Sequence, residues 1–559
     1  MSDALSSTEA ALSPRRQRPL GAVIQRFSLF LLIALLAWPM LALIWTLIAE
    51  ASPAWPHLRA TVLPDYLGNT LLLVVLVGTG AVLIGTGAAW LTSAMRFPGS
   101  GFLSAALVLP LAAPAYVIAY VYTDLLDFSG PVQTGLRDLL GLQPGYWFPE
   151  LRSLPGAALV LTLVLYPYVY LLARAIFVRQ SSSLFNAARV LGRGPWSAFM
   201  NVALPAARPA IAGGAALVMM ETVADFGVVE FFGVATFTTG IFRTWYAMGD
   251  QLAAMQLAAW LFLIVLVLVL IEYFARRGRV ANPTGHKLAP QQIQLKGWRG
   301  WAAGVACVVP VFLGFVLPLS LLISHHLATG DPLLGRSFLD FLWNSFKVAG
   351  LAAVIATLCA LLLGYSQRDQ KSVLATLAVR LSALGYALPG AVLGLAVLVP
   401  LSASDRWFAT VMRDEFGMNP GLLLTGSVAA LVFAYVVRFL TAAYNSVDAG
   451  MAQVSNQLDA VARSLGASPG RVVQELHLPL LQPAVLTAVL LVFIDVLKEL
   501  PATLILRPFN FETLATRAYR LASDERIAEA SSAALVIVLL GLLPTLLVLR
   551  QTRRQAQQP

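Results

Sequence analysis

Along the chain, apolar runs of about twenty residues alternate with short polar stretches, and each run is long enough to cross roughly 30 Å of hydrocarbon as a helix. Twelve such runs predict about 12 spans: 27–48, 70–94, 102–124, 157–178, 208–230 and 253–274, then 300–324, 344–366, 378–401, 420–444, 483–506 and 531–549. Charged residues interrupt the fifth and the eleventh. Two polar islands stand against this background, at 184–209 and 458–483. They lie 274 positions apart and share nine of 26 residues, including Ala188/Ala462, Arg189/Arg463, Gly192/Gly466, Leu204/Leu478 and Pro205/Pro479. Each island predicts a helix–turn–helix. Helix formers at 187–191 and 461–465 lead to Gly192 and Gly466, placed where a helix end favours positive φ. Pro195 and Pro469 suit the first position of a second helix, with Ser468 as an N-cap in the second copy. Leu204-Pro205 and Leu478-Pro479 are expected to end that helix before the next apolar run.

The repeat reaches beyond the islands. Asn69/Asn344 and Pro114/Pro389 match at an offset of 275, and Phe237/Phe511, Thr239/Thr513, Arg243/Arg517 and Asp250/Asp524 at 274. Two halves of about 275 residues therefore share one six-span plan in the same membrane orientation. The expected division is an N-terminal tail (1–26), a first transmembrane domain (27–275), a linker (276–299) rich in Pro, Gly, Gln and Lys, a second transmembrane domain (300–550) and a C-terminal tail (551–559). Parallel repeats of this kind place a shared pathway at their interface.

Composition turns this pattern into a class. Hydrophobic residues make up 58% and charged residues 12%, against roughly 25% charged in soluble domains. The chain is an all-α polytopic membrane protein, and its length does not signify a string of soluble domains. The net charge of +10 orients the chain in lipid and does not point to nucleic acid: with the N-terminus in the cytoplasm, about 25 of the 38 Lys and Arg fall on that side, both islands and the linker included. The C-terminus then lies on the same side. Arg507, Arg517, Arg520 and Arg526 in the last loop break the bias, so they require a docking surface or acidic partners. The polar stretch 1–20 precedes a run too long for a cleaved signal, which predicts a signal-anchor span. Cys307 and Cys359 sit inside apolar runs and are expected to pack rather than pair.

Chemistry-bearing residues are few. Glu221 and Asp225 lie four apart in the fifth span, and Asp495 and Glu499 are their counterparts in the eleventh, so each pair is expected on one helix face. Carboxylates inside a bilayer are costly unless they face water or partners. They could line a path for a cationic substrate, since hard cations prefer oxygen ligands, or be satisfied locally, Asp495 by Lys498. His325-His326 has no evident third ligand and is expected to pack at the membrane interface; His477 is expected to be a contact residue of the second island. Gly78, Gly80, Gly85 and Gly87 lie inside a span and predict close helix packing. A GxxxxGK[ST] phosphate loop and an HExxH sequence are both absent from the chain, so no catalytic residue is assigned and no route to ATP hydrolysis by this polypeptide is seen.

At the islands a resemblance becomes specific. Ala187-Ala188-Arg189, Gly192 and Leu204-Pro205 resemble the EAA loop of bacterial ATP-binding-cassette (ABC) importer permeases. The match departs at the acidic position, where Asn186 and Ala460 stand, with Asp459 one residue early and Val461 in place of the first alanine. The duplicated layout, with Glu221-Thr-Val-Ala-Asp225 and Lys498-Glu499-Leu-Pro, is similar to the fused permeases of ferric-iron uptake. This resemblance implies two tandem six-helix type I importer domains in the bacterial inner membrane, working by alternating access. It implies two copies of a cytoplasmic ATPase subunit, one per island, and a periplasmic binding protein. ATP would be used by the partner, with no cofactor bound by this chain. The coupling residues would be Asn186, Ala187, Ala188, Arg189, Gly192, Leu204 and Pro205, with Ala460, Val461, Ala462, Arg463, Gly466, Leu478 and Pro479 in the second copy. Permeases for thiamine, polyamines or oxyanions share the islands and remain alternatives, as does an ATP-independent secondary transporter.

Overall fold

A computed structural model describes residues 20–141, 146–179, 195–276, 293–370 and 373–557. They form helices throughout, apart from one two-residue parallel pairing in which Met95 and Arg96 lie beside Ile293 and Gln294. That pairing, extended by Leu295 N–H donating to Arg96 O at 3.0 Å, ties the chain entering the second half to the end of the Leu63–Ala94 helix. Among the described residues, 11 helices are long and apolar enough to cross a membrane, and a bent pair counts as a possible twelfth.

Two predicted spans are broken, at equivalent places. The third, 102–124, divides at Ala113-Pro114 into segments that meet at 92°. The ninth, 378–401, straddles Leu388-Pro389, which separates a helix Val373–Ala387 from a spanning helix Gly390–Phe416. Pro114 and Pro389 both precede a new helix with extended backbone, ψ 139° and 142°. The fixed φ of proline and its missing N–H make it a natural first cap but a poor helix interior. Apolarity set the run; proline set the break.

The halves interlock. The first helix, Leu20–Ile48, packs on Val373–Ala387 and Gly390–Phe416 of the second half, with Gln25 donating to Ser366 Oγ at 2.9 Å and Trp38 against Phe433. Reciprocally, the first helices of the second half lean on the first half. Tyr122 OH donates to Leu313 O at 2.6 Å, and Gly314 lies against the Leu163 carbonyl so closely that a Cβ would stand 2.7 Å from it. The glycine-lined face of Leu63–Ala94 packs along Leu154–Arg179 and Leu204–Ala224: Gly85 abuts the Tyr166 backbone, Gly80 Thr162 and Gly78 Met219, whereas Gly87 meets open space. Three of the four glycines thus serve helix approach.

The four arginines that depart from the expected charge bias, Arg507, Arg517, Arg520 and Arg526, all have acidic partners. Arg517 is bidentate to Asp331 at 2.8 and 3.0 Å, Arg520 and Arg507 face Glu512, and Arg526 pairs with Glu529. Burial works against charge on Asp331. The Arg517 hydrogen bonds, the Leu333 N–H and the nearby Arg517 and Arg526 charges overcome it and hold the carboxyl below its ordinary range.

In this region the repeat register is 277, not 274. Asn69 Nδ2 donates to Ala235 O and Asn344 Nδ2 to Glu512 O. Thr70 Oγ1 accepts from Phe237 N–H and Ser345 Oγ from Leu514 N–H, and the capping boxes are Thr236/Thr239 and Thr513/Thr516. Every one of these second-half partners lies 277 beyond its first-half counterpart. The letter matches Phe237/Phe511, Thr239/Thr513, Arg243/Arg517 and Asp250/Asp524 are therefore not structural equivalents. The second half has three extra residues before Thr513, in a turn that includes Asn510 at φ +58°.

Candidate functional site

Two cavities meet between the halves. The larger, about 1450 Å³, runs from Gln453, Val454 and Leu458 beside the second island to Asp495 and Lys498. The smaller, about 170 Å³, holds Glu221, Asp225, Arg438, Asp495, Lys498 and Glu499 together. Tyr168 of the first half and Tyr386 of the second line both, so one path leads from the island level to a polar centre.

All four predicted carboxylates reach this centre, but not as two helix-face pairs. The Leu204–Ala224 helix stops before Asp225, whose ψ is 135°, and the Leu478–Leu497 helix stops before Glu499. The reason is local. Asp225 Oδ2 accepts the Val228 and Val229 N–H groups at 3.1 and 3.2 Å, and Glu499 Oε1 accepts Ala502 N–H at 3.1 Å. Each caps the short helix that follows, Gly227–Phe231 or Pro501–Leu506, satisfying backbone donors that lipid could not.

Among the described residues, the cations that line this centre come from the second half. Lys498 Nζ lies 3.1 Å from Asp495 Oδ1, as the local alternative anticipated, and Arg438 Nε lies 3.8 Å from Glu499 Oε2. Arg438 Nη1 also donates to Leu388 O at 3.1 Å, the carbonyl beside the Pro389 break. A Cβ on Gly390 would stand 2.2 Å from Glu499 Oε1, so glycine makes room for this pair. Glu221 differs: among the described residues it has no hydrogen-bond or ion-pair partner, yet it is within electrostatic reach of Arg438, Asp495, Lys498 and Glu499. Arg438 escaped the sequence reading. The signal was present, since an arginine inside the apolar run 420–444 is itself an intramembrane charge requiring a partner.

The histidine pair is divided. His325 Nε2 faces Asp124 at 2.9 Å and His326 Nδ1 meets Ser532 Oγ at 3.0 Å. Among the described residues no group of three or more His, Cys, Asp or Glu is placed to hold a metal ion.

Of the first island, Asn186, Ala187, Ala188, Arg189 and Gly192 lie outside the described residues. The second island is described through its whole length. Ala460, Val461, Ala462 and Arg463 belong to a helix Asn456–Ser464, Gly466 turns the chain at φ +83°, and Ser468 Oγ accepts Arg471 N–H at the start of the next helix. Ala460, Val461, Gly466, Leu478 and Pro479 are exposed. The Leu-Pro pairs do not end the helix. In both copies it continues through a wider π-helical turn, Phe199–Ala203 or Val472–His477, directly into the spanning helix that begins at Leu204 or Leu478. Widening the turn ahead of Pro205 and Pro479 relieves the clash of the proline ring with the carbonyl behind it. The same device precedes Leu317-Pro318, where Phe312–Val316 is π-helical. From Pro469 onward the second island is thus a lever continuous with the span that carries Asp495, while the helix Asn456–Ser464 joins it across the Gly466 turn.

His477 and Asp459 join inside that island. His477 Nε2 lies 2.7 Å from Asp459 Oδ1, and Arg368 Nε donates to Asp459 Oδ2 at 3.1 Å. Burial pushes the Asp459 carboxyl up, but the hydrogen bonds and charges of His477 and Arg368 prevail and hold it below the ordinary carboxylate range.

Tandem helical halves around a path with a charged centre, with an exposed helix–turn–helix lever continuous with a path-lining span, define a membrane permease. Comparison with known proteins specifies the kind. Residues 81–280 and 352–557 each match the family described as the binding-protein-dependent transport system inner membrane component. The chain belongs to that family, as two tandem permease domains. It is 28% identical over 494 residues to the Fe(3+)-transport system permease protein FbpB 2 of Haemophilus influenzae, covering 87% of this chain and 89% of that protein. It is 22% identical to the ferric transport system permease protein FbpB of Actinobacillus pleuropneumoniae, over 85% of this chain and 70% of that one. A putative 2-aminoethylphosphonate transport system permease protein, PhnV of Salmonella typhimurium, matches 46% of this chain at 28% identity and 96% of its own length.

Proposed function

We propose that this permease carries ferric iron inward across the bacterial inner membrane by alternating access. Cargo arrives on a periplasmic binding protein. Two copies of a cytoplasmic ATPase, one per island, drive the cycle with ATP, and both termini lie in the cytoplasm. The observation that carries the reading is the polar centre at the end of the path: four carboxyls against two cations, with Glu221 unpaired among the described residues. Hard oxygen donors and an excess of negative charge suit a hard cation. The similarity to ferric permeases along most of both chains supports the same cargo. ATP acts only through contacts that differ between the outward and inward states, and the continuous Pro469-to-Leu497 lever supplies a path for that difference.

Lys498 in the path favours a second reading, an oxyanion cargo, since it lines both cavities. Uptake of radiolabelled ferric iron, thiamine, a polyamine and an oxyanion, measured with the ATPase and binding protein present, separates these. Iron uptake that requires ATP is expected; oxyanion uptake in its place overturns the cargo, and uptake without the ATPase overturns the class.

The island reading carries its own prediction. A Cβ on Gly466 meets nothing within 4 Å, but the residue sits at φ +83°. Replacement therefore strains the backbone by about 1–3 kcal/mol without crowding a neighbour. Gly466→Val is expected to reduce ATPase stimulation severely and Gly466→Asn only mildly, because asparagine tolerates this conformation. Equal activity of the two variants in a reconstituted ATPase assay would remove the turn from the coupling surface.

A further inference from the structure

Among the described residues, the two levers meet the membrane bundle through different side chains. In the first half Phe199, in the π turn, packs on Trp90 with ring centroids 4.8 Å apart, and Phe177 and Trp196 also lie against Phe199. In the second half the position equivalent to Trp90, 275 residues on, is Tyr365, and His477 of the π turn stacks on it at 5.5 Å. His477 and Arg368 both engage Asp459, and Arg368 Nη1 also donates to Met451 O and Val454 O, each at 3.0 Å. One arginine thus reaches the end of the Val428–Met451 helix, the turn after it and the island helix Asn456–Ser464. His477 is 6% exposed, and the ion-paired side chains of Asp459 and Arg368 are 15% and 14% exposed. In the sequence of the first copy, Phe185, Ser93 and Ala203 stand at the positions of Asp459, Arg368 and His477, so these three side chains are not repeated there.

We propose that Arg368, Asp459 and His477 form an ionic latch that makes the second island helix move as one body with its membrane lever. All three are positioning residues. The acid nearest the island helix start is turned inward onto this latch, away from the exposed face of Ala460 and Val461. The proposal rests on the islands being the coupling surface. It adds that breaking the latch lets the helix shift under the ATPase without carrying the span along. ATP is then hydrolysed with less transport per cycle.

The full chain, assembled with its ATPase subunits and reconstituted with the binding protein, is assayed for ATP hydrolysed per iron taken up. Asp459→Ala is expected to raise that ratio about fivefold or more, the lower end of ordinary coupling between sites. Asp459→Glu should restore most of the coupling. Arg368→Lys, which keeps the charge but loses the fork to Met451 O and Val454 O, should fall between, and it serves as the test if Asp459→Ala does not assemble. An unchanged ratio in both Asp459→Ala and Arg368→Lys overturns the latch. Loss of ATPase binding in Asp459→Ala also overturns it, because Asp459 would then face the partner. Normal stimulated hydrolysis in Gly466→Val would instead strike the island reading beneath it.

Discussion

Arg517→Met is expected to cost about 3–5 kcal/mol, the range for leaving one member of a buried ion pair without its partner. Arg517 is 4% exposed and Asp331 2%, and the guanidinium uses two donors on both carboxylate oxygens. The Phe341 ring lies 5.4 Å from the guanidinium carbon. Asp331 in turn receives the Leu333 N–H, and its own N–H donates to Ser532 Oγ. One pair therefore fastens the Leu514–Ser523 helix to the loop before Arg336–Gln370 and to the last span. Methionine fills the space but leaves a buried carboxylate, so Asp331→Asn combined with Arg517→Met should recover part of the loss. Stability also acquires a pH dependence of known sign. A carboxyl held below its unfolded value stabilises fully above about pH 4 and loses that contribution as pH falls through the depressed value. The wild type should therefore weaken in acid below the ordinary carboxylate range, and the double variant should not show that component. Thiol-dye labelling of buried Cys307 during heating at a fixed scan rate reads the loss, since membrane proteins seldom unfold reversibly. A labelling curve for Arg517→Met that overlays the wild type would show the pair to be dispensable.

The same neighbourhood shows how far letters carry structure. Asn69 and Asn344 matched in sequence and do equivalent work, each holding the start of a span to the loop that returns beneath it. Arg243 and Arg517 also matched, yet the structural counterpart of Arg517 is Gly240, packed against Tyr66 where the second half has Phe341. Three inserted residues shifted the register, and chance identities at the old offset concealed the shift. The helix breaks follow a similar division. Pro114 and Pro389 were visible as repeated prolines, and their breaks follow from proline chemistry. Those at Asp225 and Glu499 depend on a carboxylate finding the N–H groups of a helix not yet formed, which spacing alone cannot announce. Leu-Pro promised a helix end, and a widened turn absorbed it. The Arg368–Asp459 contact joins residues 91 apart on separate helices, so only folding brings it into view.

Glu221→Lys is expected to lower the initial rate of iron uptake about 100-fold or more while the permease still inserts and assembles. Of the four carboxyls, Asp225 is committed to two backbone donors, Glu499 to Ala502 and Arg438, and Asp495 to Lys498. Glu221 is left facing the small cavity from the last turn of its helix, with no partner of its own among the described residues. A contact between unit charges near 4 Å is worth about 4 kcal/mol at an effective dielectric near 20, and tenfold in affinity corresponds to about 1.4 kcal/mol. Even after partial screening, removing the carboxylate should cost about ten- to a hundredfold, and adding a cation should exceed that. Glu221→Gln isolates the charge from the shape and should lie between Glu221→Lys and wild type. Asp225→Asn makes a useful contrast. An amide oxygen can still accept the Val228 and Val229 N–H groups, so its uptake should remain nearer wild type. The ordering Glu221→Lys below Glu221→Gln below Asp225→Asn is what a free carboxylate on the cargo path requires. Uptake in Glu221→Lys equal to that of Asp225→Asn, at matched protein levels, would place the cargo elsewhere. An anionic cargo would reverse the sign, with Glu221→Lys the fastest of the three.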